Sequence, residues 1–200
     1  MKQQILIING GSTFDTYDEY LSDLKNLELD FERLGRKGWK SWLKTELEET
    51  FDIIIPKMPN PNNAKYNEWK IWFEKLLPFL RDNIVLIGHS LGGIFLVKYL
   101  SENDFPKKIR ATYLIAPPYD DKNSEYSLND FVLPKNLKKL STQGGNVFIY
   151  HSEDDPVVTF IDAKKYKEQL PRAKLYVFKD REHFNQEEFP ELLENIKKLS

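Results

Sequence analysis

An α/β fold, a six-stranded parallel sheet with helices on both faces, is what this sequence predicts, and three observations predict it. Short apolar runs rich in β-branched or aromatic residues recur at residues 5–8, 51–55, 84–87, 109–116, 146–150 and 174–178, and runs of that length and composition read as strands buried in a sheet. Helical spacing of apolar residues fills most of the intervals, the alternation that builds parallel strands joined by right-handed crossovers. The 200 residues suffice to bury a core without disulfides or metals, so the expectation is one domain over residues 1–200.

The first strand, residues 5–8, runs into Asn9-Gly10-Gly11-Ser12, a glycine turn that lets backbone amides approach a ligand closely. Residues 14–37 make a long connection in which Asp15, Asp18, Glu19, Asp23, Glu28, Asp30 and Glu32 outnumber Lys25, Arg33, Arg36 and Lys37. Loops of that length are functional or mobile, and the plainer reading is a solvated excursion with a short helix near residues 17–24. Trp39, Trp42, Leu43 and Leu47 mark an amphipathic helix over residues 38–49 that packs its tryptophans on the sheet. The second strand, residues 51–55, stops at Pro56, and Pro59 and Pro61 keep the following loop non-helical. Residues 66–80 then read as a helix with Trp69, Trp72, Phe73, Leu76 and Leu77 inward.

The third strand, residues 84–87, leads into Gly88-His89-Ser90-Leu91-Gly92-Gly93 and a helix. The fourth, residues 109–116, is broken by Pro117-Pro118 and followed by a polar, turn-rich stretch over residues 119–129 and a short helix at residues 136–140. The fifth, residues 146–150, continues into His151-Ser152-Glu153-Asp154-Asp155-Pro156. Thr159 and Asp162 suggest a capping box opening a helix over residues 160–170. After the sixth strand, residues 174–178, comes Lys179-Asp180-Arg181-Glu182-His183-Phe184. The last helix opens with Pro190 and carries Glu191 and Glu194 before Lys197 and Lys198, as a helix dipole favours.

Gly88-x-Ser90-x-Gly92 between a strand and a helix is the pattern of a nucleophile elbow, in which a strained turn lifts the serine hydroxyl clear of the sheet. The amide of Leu91 at the helix start and that of Gly11 in the first loop are the expected oxyanion donors. A phosphate cradle is the rival for the first loop, but neither Gly-x-x-x-x-Gly-Lys nor Gly-x-Gly-x-x-Gly is present. Ligands of parallel sheets bind beyond the carboxyl ends of the strands, where Ser90, Asp155 and His183 all fall. Serine needs a base to take its proton, and the base needs a carboxylate to fix its tautomer. Of three histidines, His89 adjoins Ser90 on the tight turn and points away from its hydroxyl, and His151 belongs to the fifth strand, which leaves His183. Asp154 and Asp155 compete for the acid; Asp155 is favoured, because Pro156 biases it to extended backbone at a strand end. Its strand lies two places from that of Ser90, about 10 Å at ~4.8 Å per strand, a gap that suits one imidazole.

A formal net charge of −2, from 29 basic and 31 acidic residues, offers no excess of cations for phosphates, so no nucleic-acid partner is expected. Cysteine is absent, which excludes disulfides and thiolate metal sites and is compatible with a reducing cytoplasm. No apolar stretch approaches the ~20 residues of a membrane span, and the N-terminal run is too short for a secretory core. The expectation is a soluble cytoplasmic protein with no cofactor, no metal and no membrane partner.

Gly38-Trp39-Lys40-Ser41-Trp42-Leu43, Met58-Pro59-Asn60-Pro61, Ile87-Gly88-His89-Ser90, Glu153-Asp154-Asp155-Pro156 and Glu182-His183-Phe184 together resemble the small serine hydrolases grouped with retinoblastoma-binding protein nine and the bacterial YdeN proteins. The resemblance implies a minimal α/β-hydrolase fold with strand order 2-1-3-4-5-6 and no large cap domain. It implies a triad of the elbow serine, the aspartate before proline and the histidine before phenylalanine, here Ser90, Asp155 and His183. The chain departs from the family in a longer insertion over residues 12–37 and in a first loop without the family's proline, which leaves substrate preference open. The expected activity is metal-independent hydrolysis of a small ester or amide, with aminoacyl esters favoured if the acidic insertion selects amines. The alternative is a protein-binding module that keeps the fold with little or no turnover.

Overall fold

The computed structural model describes residues 2–29, 31, 35, 37–122, 124 and 126–199. Six strands, β1 (Gln3–Ile8), β2 (Phe51–Ile54), β3 (Ile84–His89), β4 (Ile109–Ile115), β5 (Asn146–Ser152) and β6 (Lys174–Phe178), form one sheet. Their order is β2-β1-β3-β4-β5-β6, and every neighbouring pair is parallel. β3 and β4 are central and almost wholly buried, so their continuous apolar runs are what a sheet covered on both faces requires.

Side chains alternate between two cores. Leu6, Ile8, Ile84, Leu86, Leu114 and Ile149 point to a face covered by α3 (Tyr66–Leu76), α4 (Leu91–Glu102), α5 (Lys138–Gln143) and α6 (Phe160–Gln169). Ile5, Ile7, Val85, Ile87, Tyr113 and Tyr150 point to the opposite face, under α2 (Trp39–Leu47) and α7 (Pro190–Lys197). The remaining helix, α1 (Tyr17–Asn26), buries no residue. It is held by its own capping box, Thr16 Oγ1 accepting from the Glu19 amide at 3.2 Å and Glu19 Oε2 accepting from the Thr16 amide at 3.1 Å. The acidic connection expected between the first strand and α2 therefore contains a helix; Asp30, Glu32, Arg33 and Arg36 lie outside the described residues.

Four local expectations are corrected. Trp72 is 42% exposed, because the inward stripe of α3 is Tyr66, Trp69 and Phe73 and Trp72 stands roughly 100° from Phe73 around the helix. Pro78 tightens the end of that helix into a 3₁₀ turn over Leu77–Phe79. The short helix expected at residues 136–140 starts later, at Lys138. Thr159 begins α6 without a side-chain cap, since Asp162 accepts instead from the Tyr119 amide at 3.1 Å and from Lys165 Nζ at 3.1 Å.

Candidate active site

The elbow is built from close backbone packing. A Cβ on Gly88 would lie 2.4 Å from Gly92 O, and one on Gly92 would lie 2.3 Å from Ile8 O, so only glycine lets α4 seat its first turn against β1. Between them Ser90 is driven to φ 53, ψ −123, a conformation that costs a non-glycine residue about 1–3 kcal/mol. Its amide is tied to Ile115 O of β4 at 2.8 Å. The amides of Gly93 and Ile94 close on Ser90 O at 2.8 and 3.3 Å. Those of Leu91 and Gly92 are left without an intrahelical acceptor, as at any helix start. Gly92→Ala is expected to destabilise the fold by about 3 kcal/mol or more, read as a lowered urea midpoint at unchanged m-value.

Ser90 opens on a cavity of about 620 Å³ that Leu91 and Gly11 also line. Gly11 is pinned by the Pro loop: Pro61 O accepts from the Ser12 amide at 2.8 Å, Ser12 O accepts from the Ala64 amide at 2.8 Å, and a Cβ on Gly11 would strike Pro61 O at 2.4 Å. Trp69 Nε1 holds Pro59 O at 2.8 Å, so Met58-Pro59-Asn60-Pro61 is the brace of the first loop. One wall of the cavity is α1 and its lead, with Phe14, Asp15, Glu19 and Asp23; across it stand Pro118, Tyr126, Leu128 and Val157, and no lysine or arginine lines it among the described residues. The walls are joined by Ser127 Oγ donating to Asp15 Oδ1 at 2.7 Å and Asn129 Nδ2 donating to Phe14 O at 3.0 Å. The Tyr126 hydroxyl is buried and unpartnered among the described residues.

Beyond β5, Asp155 turns its carboxylate wholly inward. Oδ1 accepts from the amides of Val157 and Val158 at 2.8 and 2.9 Å, and Oδ2 lies 2.9 Å from His183 Nδ1. Asp154 points elsewhere and accepts from Ser152 Oγ and from the Glu182 amide, bonds that hold its carboxyl below the usual range, the hydroxyl contributing most. His151, which burial keeps below the ordinary imidazole pKa, bonds Val158 O through Nε2 at 2.8 Å and so fixes the turn that carries Asp155.

His183 sits between Glu182 and Phe184, both left-handed at φ 46 and 55. Such a loop needs external anchors, and the face under α2 supplies them. Trp39 Nε1 donates to Phe184 O at 2.9 Å, and the Trp39 amide donates to Gln186 O at 3.1 Å. His89 Nε2 lies 2.9 Å from His183 O, and its ring centroid is 5.1 Å from that of His183. On its other side His89 Nδ1 lies 3.0 Å from Lys40 Nζ. Burial above all, then the Lys40 charge, pushes the His89 pKa well below 6.5, so this imidazole is neutral.

The geometry thus joins Asp155 to His183 directly. The Ser90 side chain faces Gly10, whose ideal Cβ would lie 3.5 Å from Ser90 Oγ, and among the described residues no hydrogen bond links that hydroxyl to the His183 ring. Such bonds commonly tighten only when substrate is bound. The anchoring roles of Trp39, Lys40 and His89 were not assigned from sequence. A buried indole N–H and a buried imidazole each require an acceptor, but the chain alone does not say which carbonyl supplies it. Among the described residues, no group of three or more potential metal ligands occurs, and no helix is long and apolar enough to cross a membrane.

The family model described as Serine hydrolase matches residues 31–199. A Rattus norvegicus protein, serine hydrolase RBBP9, is 28% identical over 166 residues, covering 81% of this chain and 86% of that one. Putative hydrolase YdeN of Bacillus subtilis is 24% identical over 152 residues, covering 75% and 80%. The crystal structure of the B. subtilis ydeN gene product superposes with a TM-score of 0.78 at 20% identity, covering 99% of this chain and 98% of that one.

Proposed function

Because this chain belongs to the serine hydrolase family, we propose that it cleaves small carboxylic esters or amides through an acyl-enzyme on Ser90, with His183 as base and Asp155 as its orienting acid. The observation that carries this reading is the 2.9 Å contact between His183 Nδ1 and a fully inward Asp155 carboxylate, on the same rim as a strained serine that opens on a cavity. With Nδ1–H held by Asp155, Nε2 of His183 is unprotonated and can take the Ser90 proton as Oγ bonds to the carbonyl carbon. The negative oxygen that forms is met by the amides of Leu91 and Gly11. His183 then gives its proton to the departing alcohol or amine as the carbon–oxygen or carbon–nitrogen bond breaks. Water repeats the sequence on the acyl-enzyme, releasing the acid and restoring the serine. A fluorophosphonate probe tests the assignment: it should label the protein once, on Ser90.

The cavity lining supports a narrower substrate class. Asp15, Glu19 and Asp23 stand on one wall with no facing lysine or arginine among the described residues, a field that attracts a cation. Aminoacyl esters with a free amine are expected to show a kcat/KM about tenfold above their N-acetylated counterparts at low salt, narrowing as salt screens the carboxylates. Equal rates for the two series at all salt concentrations would remove the preference.

A further inference from the structure

We propose that Lys40, acting through the ring of His89, is a positioning residue that holds the main chain of His183 where its imidazole meets Asp155, on the rim that Ser90 shares. The inference rests on the reading of His183 as the base. Trp39 and Asp154 anchor the neighbours of His183, at Phe184 O and at the Glu182 amide. Only His89 bonds the main chain of His183 itself among the described residues, at 2.9 Å.

That bond depends on a tautomer. A neutral imidazole carries one N–H, and it must sit on Nε2 for His89 to donate to the carbonyl of His183. An ammonium has three donors and no acceptor, so Lys40 Nζ at 3.0 Å obliges Nδ1 of His89 to be the bare nitrogen. Were Lys40 uncharged, its amine could accept from Nδ1–H, and a lone pair on Nε2 would then face the carbonyl oxygen of His183.

The surroundings of Lys40 make this more than packing. Facing it are His89 from β3 and the Trp39 ring of its own helix, 5.2 Å from Nζ. It lines a small cleft whose other polar members, Asn9, Ser41, Asn185 and Gln186, are neutral. Among the described residues no nearby acid offsets the burial that lowers its pKa to about 8. A part-buried ammonium without a carboxylate is costly, and its one side-chain hydrogen-bond partner among the described residues is the ring it orients.

The test reads the tautomer and the kinetics together. Long-range ¹H–¹⁵N correlation of the histidine rings, simple to assign with three histidines, should show His89 as Nε2–H at pH 7 and as a mixture as pH rises past about 8. Lys40→Gln, whose side chain can accept from Nδ1–H through Oε1 or donate through Nε2, should give the mixture at every pH and lower kcat about tenfold to a hundredfold with KM nearly unchanged. Lys40→Arg should restore the Nε2–H form and hold kcat level to higher pH than in the parent, because a guanidinium stays charged. Unchanged tautomer populations, whether or not kcat falls, would overturn the proposal, and the pH titration of the parent alone decides the matter should a variant not fold. A tautomer that responds as expected in a protein without ester turnover would keep the positioning role and reject the hydrolase reading.

Discussion

Ser90→Ala is expected to abolish fluorophosphonate labelling and to lower ester turnover by roughly 10⁵- to 10⁶-fold, the scale on which a triad serine is lost elsewhere. The substitution removes one oxygen, and alanine must occupy the same strained backbone, φ 53 and ψ −123. The fold should persist, because the anchors of that turn are main-chain bonds: the residue-90 amide to Ile115 O, and the Gly93 and Ile94 amides to the residue-90 carbonyl. Circular dichroism and a urea midpoint close to the parent's, together with an unlabelled protein, are the expected pair. Label that persists on the variant at the parental rate would place the nucleophile elsewhere.

Asp155→Asn is expected to lower kcat by about 10⁴-fold while leaving the backbone in place. The amide oxygen can keep the two bonds from Val157 and Val158 that Oδ1 now accepts, which directs the NH₂ group at Nδ1 of His183. The imidazole must then present a lone pair at Nδ1 and carry its proton on Nε2, the nitrogen that has to receive the serine's proton. Asp154→Asn makes the contrast: it weakens the hold on Ser152 and on the Glu182 amide and should cost far less in kcat. The double variant Ser90→Ala/Asp155→Asn should be no slower than Ser90→Ala alone, since residues that act as a unit are not additive. Near-parental kcat in Asp155→Asn, with a collapse in Asp154→Asn, would exchange the roles of the two acids.

The sheet was legible in the sequence because its strands are covered on both faces, which forces apolar runs that no polar alternation interrupts. The strained turn at residue 90 was legible for a related reason: glycines at 88 and 92 meet backbone atoms at 2.4 and 2.3 Å, a constraint that writes itself into residue identity. Pro156 pointed to Asp155 over Asp154 through backbone preference, and the 2.9 Å contact of Asp155 with His183 Nδ1 falls on that residue. What was not legible depends on partners far along the chain. The spacing of apolar residues in α3 did not tell Trp72 from the inward stripe, because aromatic residues occur on more than one side of that helix. Asp162 looked like half of a capping box until the Tyr119 amide and Lys165 claimed it. Lys40 and His89 are 49 residues apart, and nothing local to either marks the contact.

The stretch over residues 12–26 that furnishes one wall of the cavity lies ahead of residue 31, where the match to the family begins. On the proposed reading, Ser90, Asp155 and His183 fall inside the matched residues, whereas the acidic wall that would greet an amine falls outside them. Grafting the corresponding stretch of a relative in place of α1 and its lead should transplant appetite for one class of molecule or another, while the attacking alcohol and its proton acceptor carry on as before.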